Sequence, residues 1–254
     1  MIAEIIAIGS ELLTPFRQDT NSLYLTQELN KLGVEVGYKT VVGDNHGPLV
    51  SVARIALGRA DIIILMGGLG PTEDDITREC VAEAMRLSIK REPDIVAALY
   101  ARFAERRIKM HDNNLRQADV IVGAAVLPNK NGSAPGQYLE GLFEGKEKIV
   151  ILLPGPPREL EPMFAEECFD RLRVKLPKRF IVTRVLKIAM MPESECDARV
   201  APIYKEHNAV QTTILAGAGD VQLHLKAEAE TREEAQALVD DLAEELEDEL
   251  DDRI

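Results

Sequence analysis

The stretch Ile62-Ile63-Ile64-Leu65-Met66-Gly67-Gly68-Leu69-Gly70-Pro71-Thr72-Glu73-Asp74-Asp75-Ile76-Thr77 decides the fold of this chain. Its opening apolar run suits a strand buried on both faces, as in a parallel sheet covered by helices. Gly67, Gly68 and Gly70 bare the backbone, so that N–H groups can approach a ligand without side chains in the way. Thr72 is placed to cap a following helix, with Asp74 and Asp75 in its first turn. Strand, glycine turn and helix N-terminus together make an anion site, because unpaired N–H groups and the helix dipole point at one spot. Two carboxylates there repel a bare phosphate, and they make more sense with a divalent cation between them and it. Thr72-x-x-Asp75 fits a ligand-free capping box as well, and the residues alone leave Asp75 open between cap and site.

Residues 2–8 read as a first buried strand, ending at Gly9-Ser10-Glu11. Asp19, Thr20, Asn21 and Ser22 offer helix caps, and Leu23, Leu25, Leu29 and Leu32 carry a helical stripe to Gly33. A strand over 34–42, a polar turn holding Asp44, a helix over 48–58 and a strand over 61–66 follow. This β-α-β-α-β order predicts a mostly parallel sheet in a three-layer α/β domain. Ligands of such sheets collect beyond the carboxyl ends of the strands, where Gly9-Ser10-Glu11, Asp44 and the Gly67–Asp75 turn all fall. Helices over 76–87 and 93–107 come next. Arg102, Arg106, Arg107 and Lys109 form a basic cluster that reads as a solvated face or as a phosphate contact. In the loop from Leu127 through Asn129 to Gly136, Lys130 offers a point charge, and Gly132-Ser133 offers N–H and hydroxyl donors. Residues 138–144 and 148–153 read as a hairpin, or as two strands around Gly145. Pro154-Gly155-Pro156-Pro157 is then a second strand–glycine–helix junction, opening a helix to about Leu172 and placed to form another wall of the same crevice.

Val174–Arg179 reads as a boundary between a domain over 1–173 and a small α+β domain over 174–254. The latter predicts a strand (180–190), a helix (193–206), two strands meeting near Gly217-Ala218-Gly219-Asp220, and an acidic helix (231–250). Ala235, Leu238, Leu242, Leu246 and Leu250 line one face of that helix, and the domain reads as structural or as a dimerisation element. The formal net charge is −13, but eleven acids against two arginines lie from Thr231 onward, so the acidity belongs to one solvated helix. No tryptophan and 4% aromatic content argue against stacking on single strands, and nucleic acid is not an expected partner. Three scattered cysteines and four scattered histidines suggest neither a disulfide framework nor a zinc cluster. No leader pattern opens the sequence and no apolar run reaches membrane-spanning length, so a reduced, cytoplasmic protein is expected.

Taken together, Gly67–Asp75, Asn129–Gly136 and Pro154–Pro157 make the chain resemble the CinA family, the competence/damage-inducible group. The resemblance covers nearly the whole chain and implies a molybdopterin-binding-like domain followed by a KH-like domain. It implies ADP-ribose pyrophosphatase activity, giving AMP and ribose 5-phosphate, with a divalent metal (magnesium, cobalt or nickel) and a monovalent cation as a further candidate. Asp44, Asp74 and Asp75 are then the expected metal ligands, and Asp75, Asp44, Lys130 and Glu11 the expected catalytic residues, with Glu11 either base or ligand. Gly67, Gly68, Gly70, Thr72, Asn129, Gly132, Ser133, Gly136, Gly155 and Pro156 are expected to bind substrate. The C-terminal nicotinamide mononucleotide deamidase domain of many members is not expected here. Ser10 stands where many relatives carry an aspartate, which puts metal affinity at that position in question. A nucleotide-sugar substrate and a homodimer are the expected partners. The alternatives are molybdopterin binding or adenylylation, and a non-catalytic nucleotide-binding module.

Overall fold

The computed structural model describes residues 1–217 and 219–250. The chain divides into two compact units, residues 1–29 with 35–175, and residues 30–34 with 176–254. In the first, β1 (Ile2–Ile8), α1 (Asn21–Lys31), β2 (Glu35–Val42), α2 (His46–Arg59) and β3 (Ile62–Met66) follow the predicted order. α3 (Thr77–Met85), β4 (Ile89–Arg91), α4 (Pro93–Glu105), β5 (Asp119–Ile121), β6 (Ala125–Leu127), β7 (Gly136–Phe143) and β8 (Lys146–Leu153) come next. The unit closes with α5 (Pro157–Met163) and α6 (Phe169–Lys175), joined by a π-helical turn over Phe164–Cys168.

Six strands form one sheet in the order β2-β1-β3-β8-β7-β6. β1 pairs in parallel with β2 and β3, and β3 pairs in parallel with β8. Every residue of β3 is buried, as the run Ile62–Met66 requires of a central strand covered on both faces. From β1 the chain steps outward to β2 and then back across to β3, so the strand order reverses at β1. Such a switch point opens a crevice beyond the carboxyl ends of its strands. β7 and β8 form the expected hairpin, turning through Glu144 and Gly145 at φ of 49° and 78°, the left-handed pair that a two-residue turn demands.

Two features depart from the sequence reading. Between α3 and β6 the chain adds elements the sequence did not announce: β4 pairs antiparallel with β5, and a 3₁₀ helix covers Asp112–Ala118. The single helix expected to Leu172 carries Pro162, which lacks an N–H, and the helix widens to π geometry just after it.

The second unit contains β9 (Phe180–Ala189), α7 (Glu193–Tyr204), β10 (Val210–Ala216), β11 (Asp220–Ala229) and α8 (Arg232–Leu250). Its sheet is antiparallel in the order β10-β11-β9. Leu242 and Leu246 of α8, Val200 of α7, and Leu223 and Leu225 of β11 fill its core. The junction expected at Gly217–Asp220 includes Ala218, and the acidic end includes residues 251–254, all of which lie outside the described residues. Among the described residues no helix is long and apolar enough to cross a membrane.

One buried charge ties the first sheet to its covering helix. Glu4 on β1 is fully buried and accepts from Arg59 Nε at 2.8 Å and Nη2 at 2.7 Å, while the guanidinium carbon lies 3.8 Å from the Tyr38 ring centroid. Removing the cation strands a carboxylate out of water. Arg59→Met is therefore expected to cost about 3–5 kcal/mol in denaturant unfolding, and Glu4→Gln with Arg59→Met to recover part of that loss.

Candidate functional site

The carboxyl ends of β1, β3 and β8 lead into Gly9, Gly67 and Pro154, and two clefts open there. The first, of about 350 Å³, is lined by Gly70, Asp75, Gln117, Ser133, Arg158 and Glu159 among others. The second, of about 440 Å³, is lined by Ile8, Glu11, Arg17, Asn21, Met66 and Pro157 among others. Gly155 and Pro156 line both clefts, so the corner after β8 is their common wall.

The glycine turn is built for sharp reversal. Gly67 and Gly68 hold φ of 104° and 65°, and a Cβ on either would collide with the Ile8 carbonyl or the Thr77 hydroxyl. Neither lines these two clefts, and both shape the turn; Gly70 is the glycine of the three that lines the first cleft. The Thr77 hydroxyl donates to the Gly67 carbonyl at 2.8 Å.

Behind the turn stands a residue that the sequence reading missed. Arg78 is fully buried, and its Nη1 and Nη2 donate to the carbonyls of Leu69 at 2.8 Å and Gly70 at 3.2 Å. Burial pulls its pKa down. Arg116, from the 3₁₀ helix, donates to the carbonyls of Thr72 at 2.9 Å and Asp75 at 3.3 Å and pairs with Glu79. Two guanidinium groups thus hold the turn by its carbonyls.

Helix α3 begins at Thr77, so Asp74 and Asp75 precede it and Thr72 caps no helix. Thr72 and Asp75 instead close on each other. The Thr72 N–H and hydroxyl both donate to Asp75 Oδ2, at 2.9 and 2.5 Å, and the Asp75 N–H donates to the Thr72 carbonyl. The same hydroxyl lies 2.5 Å from Asp74 Oδ1 and holds that exposed carboxyl below the usual range. Asp75 Oδ1 has no hydrogen-bond partner among the described residues, and Asp75 lines the first cleft.

The 128–135 loop is organised from within. Asn129 Oδ1 accepts from the N–H of Asn131 and, at 2.6 Å, of Gly132, while its Nδ2 donates to the Ala134 carbonyl and to Glu159. The Gly132 amide is therefore committed to Asn129 and is not a free phosphate donor, as the sequence suggested. Asn131 Nδ2 donates at 2.7 Å to the Arg158 carbonyl, the acceptor that Pro162, four residues on, cannot serve. Ser133 lines the cleft and its hydroxyl accepts from Gln117 Nε2.

Other expected site residues lie apart from the clefts. Lys130 is exposed and paired with Glu166, which raises its pKa; it does not line either cleft. Gly136 starts β7 opposite Leu127, where a Cβ would press on Met163 and the Leu152 carbonyl; its smallness serves packing. Asp44 Oδ2 accepts from the Ser10 N–H at 2.7 Å, and the Asp44 N–H donates back to the Ser10 hydroxyl at 3.2 Å. Among the described residues no three His, Cys, Asp or Glu side chains gather into a metal cage, so Asp44, Asp74 and Asp75 do not form one. Asp44 is held by Ser10, whereas Asp74 and Asp75 share the Thr72 hydroxyl. Glu11 is exposed in the second cleft. Asn21, expected only as a helix cap, lines that cleft as well and donates from Nδ2 to the Gly155 carbonyl at 2.7 Å. Asp19 does the capping, accepting from the Ser22 N–H at 3.0 Å.

Comparison with known proteins agrees with this anatomy. Residues 4–174 match the family model described as "Probable molybdopterin binding domain", and residues 183–254 match the "Damage-inducible protein CinA KH domain". A CinA-like protein of Koribacter versatilis is 62% identical over 254 residues, covering 100% of this chain and 61% of the relative. A CinA-like protein of Solibacter usitatus is 50% identical over 256 residues, covering 100% of this chain and 60% of the relative. This chain thus spans about three fifths of the length of those relatives. The crystal structure of a CinA protein of unknown function from Thermoplasma acidophilum is similar with a TM-score of 0.59 and 28% identity, over 65% of this chain and 95% of that one.

Two outcomes follow from the geometry of the turn. Arg78→Met leaves two carbonyls without their donor and is expected to destabilise the protein by about 2–4 kcal/mol in denaturant unfolding. Thr72→Val removes the hydroxyl that depresses Asp74, so carboxyl titration by NMR should show Asp74 rising toward 3.8. The depressed value stabilises the fold above the unfolded carboxyl's pKa, and this stabilisation fades as pH falls through the folded value. The variant should therefore lose less stability on acidification than the parent.

Proposed function

This chain belongs to the CinA family, and on that premise we propose that its molybdopterin-binding-like domain hydrolyses the pyrophosphate bond of ADP-ribose to AMP and ribose 5-phosphate. The observation that carries this reading is the shared Gly155–Pro156 wall between two clefts at the sheet's switch point. A molecule with two bulky halves joined by a diphosphate fits two chambers with one narrow wall between them. Each chamber is within the size range of small-molecule sites. Arg106 and Arg158 line the first cleft and Arg17 the second, giving the phosphates cationic neighbours on both sides.

The chemistry is addition of water at one phosphorus with departure of the other phosphate. Glu11, in the second cleft, is the candidate base; the pinned Gly70 turn shapes the first cleft around the diphosphate. The donor set tests well for a magnesium-class ion, which takes hard oxygens and completes its shell with phosphates and water rather than an all-protein cage. Two carboxylates line the first cleft; Glu159 has Oε2 on Asn129 and Oε1 3.9 Å from the Arg158 guanidinium, whereas Asp75 Oδ1 has no partner among the described residues, so Asp75 is the residue that would hold the ion. When bound, the ion supplies positive charge against the charge developing on the phosphates.

A second reading, binding or adenylylation of a molybdopterin, draws on the family model matched over residues 4–174 and on the same clefts. Both are tested by following AMP release from ADP-ribose with magnesium, cobalt, nickel or no metal. Metal-dependent release, falling at least about a hundredfold in Asp75→Asn with unchanged unfolding, is expected. Release indifferent to metal and to Asp75→Asn sinks the assigned role of Asp75. No release by folded protein, with AMP transfer from ATP to molybdopterin, moves the assignment to the pterin.

A further inference from the structure

Helix α4 is weakly seated for its length. It buries a single residue, Leu99, whereas α2, one residue longer, buries Leu49, Val50, Ala53, Ala56 and Leu57. Tyr100, next to Leu99, is 54% exposed. The helix is tied to the 128–135 loop through Arg102, whose Nη1 donates to the Asn129 carbonyl at 3.3 Å. The Nε of the same guanidinium is buried with no hydrogen-bond partner among the described residues. Lifting α4 returns that N–H to water and uncovers little apolar surface, so both features lower the free energy of opening.

The segments on either side are held firmly. Before α4, β4 pairs with β5, and Arg91 makes a forked pair with Asp119 at 2.7 and 2.9 Å. Gln137, fully buried on β7, accepts from the Ile121 N–H and donates to the Asp119 carbonyl, which fixes this ribbon to the main sheet. After α4, the 3₁₀ helix is pinned through Arg116 to the glycine turn and through Gln117 to Ser133. α4 thus hangs between two fixed posts, with Pro93 in its first turn and Arg107, at φ 56°, just past its end. A non-glycine residue held at that φ favours rotation at this point.

Arg106 caps the carboxyl end of α4, lines the first cleft and stands four residues after Arg102, on the same helical face. We propose that α4 with Arg106 is a lid on the first cleft, hinged near Pro93 and Arg107 and latched by a phosphate-bearing ligand that Arg106 holds. The described arrangement is the closed one. Its buried, unpaired Arg102 Nε favours opening when the cleft is empty, and the pairing of Arg106 with an anion offsets that tendency when it is filled. The proposal rests on the pyrophosphatase reading only for the diphosphate of the natural ligand.

The test is amide hydrogen exchange of the full chain and of Arg106→Gln, in magnesium with and without inorganic pyrophosphate, with thermal unfolding as the check on folding. Without pyrophosphate, the α4 amides should exchange at least about a hundredfold faster than those of α2, through a local opening. Saturating pyrophosphate should slow α4 at least about fivefold, because the open lid cannot hold it. Arg106→Gln should keep the fast exchange and lose that slowing. An α4 that exchanges only together with α2, or that pyrophosphate does not slow, overturns the lid. Slowing undiminished in folded Arg106→Gln overturns the latch. Should the variant fail to fold, the exchange of the parent decides. The two readings fail separately. Pyrophosphate-slowed opening of α4 without AMP release from ADP-ribose sinks the pyrophosphatase and keeps the lid. AMP release by a protein whose α4 never opens alone does the reverse.

Discussion

A guanidinium with no access to water is an expensive object, and Arg78 is the one on which this domain's crevice depends. It is kept because the glycine turn needs it. Three glycines within four residues give a segment with much conformational entropy to lose and few side chains with which to hold itself. The carbonyls of Leu69 and Gly70, fixed by Arg78, and those of Thr72 and Asp75, fixed by Arg116, replace the missing side-chain packing with charge-assisted hydrogen bonds. A turn held in this way is ordered before any ligand arrives, so binding does not have to bear the cost of ordering it.

The second wall is organised by the same logic with neutral groups. Asn129 uses its amide oxygen and nitrogen to fix its own loop and to reach Glu159, and Asn131 serves the carbonyl that Pro162 leaves bare. The helix defect and the loop are thus one construction. A regular α5 would offer no free carbonyl to Asn131, and without that bond the loop would lose a tie to the helix beside the cleft.

How much of this could be read from the residues depends on how local the signal is. Buried strands, the Glu144-Gly145 hairpin and the amphipathic α8 follow from periodicities that a short window contains, and they lie where the sequence placed them. The crevice at the strand ends was legible for the same reason, because β-α-β order fixes it. Thr72-x-x-Asp75 was not, since one spacing serves two geometries and only the start of α3 at Thr77 distinguishes them. Arg78 and Gln117 were invisible because their roles depend on burial, and an arginine on a helix or a glutamine in a polar run carries no local mark of being inside. Lys130 failed in the opposite direction: its type suited phosphate, but Glu166, thirty-six positions on, claims it. Tertiary pairing across such distances is what a single sequence does not display.

Ser10 and Asp44 close the ends of β1 and β2 on each other through reciprocal backbone-to-side-chain bonds. That closure holds one negative charge, that of Asp44. An aspartate at position 10 could accept from the same Asp44 N–H, but it would bring a second carboxylate against the first, and like charges at that distance would oppose the closure. The two positions are therefore coupled through their hydrogen bonds: the side chain at position 10 sets how much negative charge the corner holds against Asp44.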